Sequence, residues 1–203
     1  MVNNWFDVHD GLLGAGRFPS LARSRQRVSA AEWLLLLGCG AASAAAVGFV
    51  KLSLGIPGHS IVIAALPMVF GLALAPRRLA GSVMSAGALG TAWLLGAAGA
   101  DYGAGATVSL LLLGPMMDAA LNHARSGRRV YAALVMSGVA TNLLALGSRA
   151  ATKILGLDLG ARPFDSWWLW ASVTYTLSGI VAGLLGAVCW FHFNDRASRG
   201  PQA

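Results

Sequence analysis

The chain has 203 residues, 56% of them hydrophobic and 11% charged, with a mean hydropathy of +0.64. Soluble domains carry about a quarter charged residues, so this composition excludes an ordinary soluble fold and marks an all-α integral membrane protein. The formal net charge of +7 does not imply nucleic acid as a partner, because the basic residues sit in short segments beside apolar runs, the pattern that orients a chain in a bilayer.

Met1 to Ser29 mixes Trp5, Phe6, Leu12, Leu13 and Phe18 with polar residues and ends on Arg17, Arg23, Arg25 and Arg27. It reads either as a cytoplasmic segment lying on the membrane interface or as a tail. The arginines stand where a cleavable signal peptide would carry its apolar core, so the first span is expected to stay in the protein. His9 beside Asp7 and Asp10 has no further ligand in its neighbourhood, and no metal site is expected.

The first span is predicted from about Trp33 to Val50, long enough to cross a bilayer. Its centre holds small residues at four-residue spacing: Gly38, Ala42, Ala46; Gly40, Ala44, Gly48; Ala41, Ala45. Each row lies on one helical face and offers a smooth strip to another helix, of this chain or of a partner. Lys51 to Ser60 reads as an outer loop whose Pro57-Gly58 turn leaves His59 and Ser60 at the entry of the second span, about Ile61 to Ala75. Free N–H groups there suit an anionic ligand, or the histidine caps the helix.

Pro76-Arg77-Arg78 is a tight inner turn before a third span from about Leu79 to Ala100, and Asp101-Tyr102-Gly103 turns the chain outside. In the fourth span, Thr107 to Leu121 is apolar apart from Ser109 and Asp118, and Arg125, Arg128 and Arg129 follow at once. A charge at membrane depth costs a few kcal/mol or more, so Asp118 must face protein or find a donor. Thr107, Leu111, Gly114 and Asp118 fall on one expected inward face, with Asn122 and His123 near Asp118.

The fifth span, about Val130 to Ala151, places Asn142, Arg149 and Lys153 on one stripe, and the sixth, about Trp167 to Phe191, places Trp168, Ser172, Tyr175 and Gly179 on another. Asp158, Arg162 and Asp165 lie in the loop between them, and Trp167, Trp168 and Trp170 read as an interfacial belt or as ligand-stacking rings. Cys39 and Cys189 sit in apolar runs and show neither a disulfide framework nor metal-ligand spacing.

The chain thus divides into an N-terminal segment over 1–29, a six-span membrane domain over 30–193 and a cytoplasmic tail over 194–203. With both termini inside, eleven arginines fall in the cytoplasm and only Lys51, Arg149, Lys153 and Arg162 outside, in keeping with the positive-inside rule. No phosphate-binding loop, zinc-protease helix, nucleophile elbow or aspartate cluster is present, so no enzymatic activity or cofactor is expected.

The short-looped six spans, the alanine-rich first helix and the polar outer ends of the last three resemble the substrate-capture S component of energy-coupling-factor (ECF) transporters, over about residues 30 to 193. The Lys51 to Ser60 loop and Leu113-Gly114-Pro115-Met116-Met117-Asp118 are similar in style to membrane cores of that superfamily, including its cobalt and nickel branch. The histidine-containing N-terminal motif of that branch has no counterpart here. The resemblance implies capture of a micronutrient from outside the inner (cell) membrane, with partner ATPases acting through a transmembrane coupling subunit. It implies a docking face at Ala41, Ala42, Ala45 and Ala46. The stripes and the loop place the ligand among His59, Ser60, Asn142, Arg149, Ser172 and Tyr175, with Asp118 and His123 in structural or coupling roles. A noncatalytic scaffold of a larger membrane complex is the alternative.

Topology is testable directly: in a background lacking Cys39 and Cys189, Tyr102→Cys and Asp158→Cys should react with an impermeant thiol reagent from outside, and Ser126→Cys only from inside. Outside labelling of Ser126→Cys ends the six-span arrangement.

Overall fold

A computed structural model of the chain describes residues 29–50, 58–75, 77–123, 127–156 and 164–198. The N-terminal segment before Ser29, the loop residues Lys51 to Pro57, Arg125, the loop with Asp158 and Arg162, and the end of the tail lie outside the described residues. Those described form helices and no strand: α1 Ala30–Phe49, α2 Ser60–Leu74, α3 Ala80–Ala97, α4 Ala104–His123, α5 Gly127–Ile154 and α6 Phe164–Ser198. Five of them, all but α2, are long and apolar enough to cross a membrane. Their outer faces carry large apolar side chains in the open, among them Leu34 at 71% exposure, Trp93 at 75% and Leu169 at 76%. Such faces are stable against lipid and not against water, which makes this a multi-pass membrane protein.

Helix boundaries follow local chemistry. Ser29 opens α1 with a capping box: its hydroxyl accepts from the Glu32 N–H at 3.2 Å, and the Glu32 carboxylate accepts from the Ser29 N–H at 3.0 Å. Glu32 also pairs with Arg77 of the α2–α3 turn at 3.0 Å, so the start of α1 and the end of α2 are level. Gly99 and Gly156, both at positive φ, close α3 and α5, the left-handed geometry that glycine enters without a Cβ penalty. Burial pushes the Tyr102 phenol up, and its hydroxyl donates to the Ala44 carbonyl at 2.8 Å, tying the α3–α4 turn to α1.

The helices form a closed ring in the order α1, α3, α4, α5, α6, α2, and α2 also leans inward to touch every other helix. Eight of the fifteen α2 residues are buried, Ile61, Met68 and Leu72 among them. At 1.5 Å per residue α2 rises about 22 Å, against about 30 Å for a bilayer core. A Ser43 hydroxyl shared between the carbonyls of Cys39 and Ala64, at 3.1 and 2.9 Å, pins α1 to α2 just before Pro67.

Ring contacts are backbone contacts made at glycine. A Cβ on Gly40 of α1 would collide with the Met84 carbonyl of α3, one on Gly114 of α4 with the Gly81 carbonyl of α3, and one on Gly183 of α6 with Val135 of α5. Gly138 and Gly179 meet between α5 and α6, where a Cβ on Gly138 would stand 2.5 Å from the Gly179 oxygen. Where no hydrophobic force draws helices together, this proximity maximises dispersion contact. By contrast Gly38 and Gly90 face open space. Gly40→Ala and Gly114→Ala should therefore each cost about 1–3 kcal/mol and lower the melting temperature in detergent. Gly38→Ala and Gly90→Ala should be neutral or slightly stabilising, since each replaces glycine inside an exposed helix face.

Candidate functional site

The site begins at Gly58, where the chain turns into α2. Gly58 has φ +84° and lies flat against Tyr175, whose ring carbon would be 2.9 Å from any Cβ there. Only glycine meets both conditions. Asn142 of α5, fully buried, donates through Nδ2 to the Tyr175 carbonyl at 2.6 Å and to the Gly58 carbonyl at 3.3 Å. One amide therefore joins α5, α6 and the entry of α2. Measured along α5, Asn142 lies twelve residues before the helix end at Ile154, about 18 Å. The chain thus turns at Gly58 against the middle of α5 and α6, well short of their ends.

His59 and Ser60, both half-buried, follow at the mouth of α2. His59 holds the N-cap position but makes no side-chain capping bond. The two polar stripes read from sequence run from exposed to buried. On α5, Arg149 is exposed and Lys153 half-buried with its ammonium 5.6 Å from the Trp167 ring centre, whereas Asn142 is enclosed. On α6, Trp168 is exposed, Ser172 is half-buried with its hydroxyl turned back to the Trp168 carbonyl at 2.9 Å, and Tyr175 and Gly179 are buried. The stripes meet in direct contact at Asn142–Tyr175 and Gly138–Gly179, and beyond them Ala145, Leu146, Ala150, Trp167 and Ala171 form a second buried cluster with Val108 of α4 packed against it. Of the tryptophans, Trp167 is buried while Trp168 and Trp170 are exposed.

At the other end of α4, Asp118 caps a helix. Oδ1 accepts from the Gly81 N–H at 3.0 Å, and Oδ2 accepts from the Ser82 N–H at 2.8 Å and the Ser82 hydroxyl at 2.7 Å. The carboxylate is 3% exposed and meets the free N–H groups and positive dipole end of α3. His123 does not reach it: its Nδ1 lies 2.8 Å from the Ala119 carbonyl of its own helix, and both His123 and Asn122 are exposed. Leu111, expected inward with Asp118, is 44% exposed. Packing takes Leu110, Leu113, Gly114, Met117 and Asp118 instead, because α3 approaches at Gly114 and the face turns with it.

On α1 the small-residue rows separate. Gly40 and Ala44 are buried against this chain, while Ala42 is exposed and Ala41, Ala45 and Ala46 are half-exposed. Sequence reasoning missed Gly81 and Ser82 as the partners of Asp118, and Gly58 as a wall of the site. The signals were present, a buried acid with no basic residue at its depth and a glycine after proline at a helix entry. Among the described residues no group of His, Cys, Asp and Glu is placed to hold a metal ion.

Set against known proteins, the chain matches no family profile, no curated protein and no solved structure.

The cap at α3 has a measurable consequence. Asp118→Asn replaces one acceptor by an NH2 group facing the N–H donors of Gly81 and Ser82, and should cost about 1–3 kcal/mol. Asp118→Asn combined with Ser82→Ala should cost less than the sum of the two, as thermal denaturation in detergent would read.

Proposed function

We propose that the chain is the substrate-capture membrane subunit of a micronutrient importer. It crosses the cell membrane six times with both termini in the cytoplasm, carries out no chemistry itself, and is driven by partner ATPases through a transmembrane coupling subunit. The observation that carries this is the depth at which the outer loop turns back. Non-helical backbone at membrane depth is tolerated where it is buried in protein or lines a polar cavity, and here it sits against the middle of α5 and α6. His59 and Ser60 lie beside that turn, Arg149 stands above Asn142 on the same stripe of α5, and Tyr175 forms the inner wall. A small polar organic solute entering from outside would meet Arg149 first and His59, Ser60 and Tyr175 deeper, and the exposed face at Ala42 would meet the coupling subunit. The arginine bias of the loops supports the orientation, and the central position of α2 supports counting it as the sixth crossing.

A noncatalytic scaffold is favoured by one observation, that both Nδ2 hydrogens of Asn142 are spent on backbone carbonyls of neighbouring segments, as in an amide that only fastens helices.

A single purification separates the two. Protein isolated in mild detergent from its native cells should retain a small polar molecule identifiable by mass spectrometry. Titration calorimetry with that molecule should then show affinity weakened about tenfold or more in Arg149→Ala and Asn142→Ala. Ala42→Trp should leave affinity within a few-fold while abolishing uptake and co-purification with the coupling subunit. No retained molecule, or unchanged affinity in Arg149→Ala, Asn142→Ala and His59→Ala alike, favours the scaffold.

A further inference from the structure

Three oxygens in the middle of the bundle are fully enclosed and have no hydrogen-bond partner: Ser109 Oγ on α4, and Thr141 Oγ1 and Asn142 Oδ1 on α5. Their residues are 2%, 0% and 0% exposed. They lie at one level. A Cβ on Gly105 of α4 would stand 3.4 Å from the Ala145 carbonyl of α5, and Leu113 and Ser137, from the same two helices, line one small apolar cavity. Because α4 and α5 run antiparallel, Ser109 and Thr141 fall midway between those two contacts, one helical turn from each. Asn142 is the next residue, and its amide nitrogen already reaches the Tyr175 and Gly58 carbonyls; the Tyr175 oxygen also serves its own helix, whereas that of Gly58, ahead of α2, keeps a second lone pair.

An apolar environment makes an unpaired polar atom expensive, and three at one level call for a common partner. The chemistry narrows that partner. Both Asn142 Nδ2 hydrogens are committed, so its Oδ1 offers only electron density and an anion is excluded. A divalent cation would need carboxylates to balance its charge. The nearest described carboxylate on α4, Asp118, is nine residues on and engaged at α3, about 13 Å along the helix. Neutral hydroxyl, amide and carbonyl oxygens from three directions suit a hard cation of single charge.

We propose that Ser109, Thr141 and Asn142, with the Gly58 carbonyl, form an intramembrane site for one dehydrated monovalent cation of about sodium size. Occupancy would lock Asn142, and through it the Gly58 turn and Tyr175, so the cation would rigidify the outer mouth. The site goes beyond substrate capture and is read without any substrate.

The full chain in detergent, thermally denatured at constant ionic strength in sodium, potassium, ammonium or choline chloride, tests it. A saturable rise in melting temperature of about 2 °C or more is expected with sodium or another of the small cations over choline. Thr141→Ser should keep the rise, whereas Thr141→Val, close in shape but without the hydroxyl, and Ser109→Ala should each abolish it. Should Thr141→Val fail to fold, the Ser109→Ala and Thr141→Ser pair carries the same comparison. Equal melting in all four salts would overturn the proposal, the hydroxyls then being satisfied by water or by carbonyls of their own helices. So would a cation response that survives both Ser109→Ala and Thr141→Val.

Discussion

Backbone contact between helices at glycine is the constraint on which the rest of this structure depends. Gly81 and Gly114 bring α3 and α4 so close that each occupies the space of the other's missing Cβ. At that separation the Asp118 side chain, one turn beyond Gly114, reaches the N–H groups of Gly81 and Ser82. A bulkier pair at the crossing would hold the helices apart and leave both the carboxylate and the start of α3 unsatisfied in a medium without water. Packing and polar satisfaction are therefore one event here, and the cost of burying a charge at membrane depth is met by the dipole and free donors of a helix end.

The same coupling recurs at the outer end with the roles reversed. Gly138 and Gly179 close the α5–α6 seam, which sets Asn142 within 2.6 Å of the Tyr175 carbonyl. Asn142 then holds Gly58, and Gly58 can lie on the Tyr175 ring only because it lacks a side chain. The short α2 completes the arrangement. Leaning on every other helix, it gives the bundle a centre, while α4 walls the far half of the α5–α6 pair through Gly105 and Val108.

The two ends thus differ in character. The inner end is bonded across three helices by charged groups, Glu32 with Arg77 and Asp118 with Ser82. The Gly58 end is held by amides, hydroxyls and aromatic rings, with the Lys153 ammonium over the Trp167 ring.

Much of this was legible in the residues themselves. Runs of apolar residues interrupted by arginine clusters specify helices and their ends, because a bilayer accepts no other unpaired backbone, and the helices overlie the expected spans, the last running seven residues further, to Ser198. An intramembrane Asp118 had to have a partner, and the tyrosine and asparagine stripes had to share a neighbourhood. Which partner, and which face, were decided by the tertiary structure. A row of small residues has the same spacing whether it packs inside the chain or faces outward, so Gly40 and Gly38 look alike until α3 is laid against one of them. Leu111 and Leu110 are equally apolar, and the point where Gly114 lets α3 approach is what buries one and exposes the other. Sequence spacing fixes direction around a single helix axis, while contact depends on the distance between two axes, and that distance is set by the glycines that lie at the crossings.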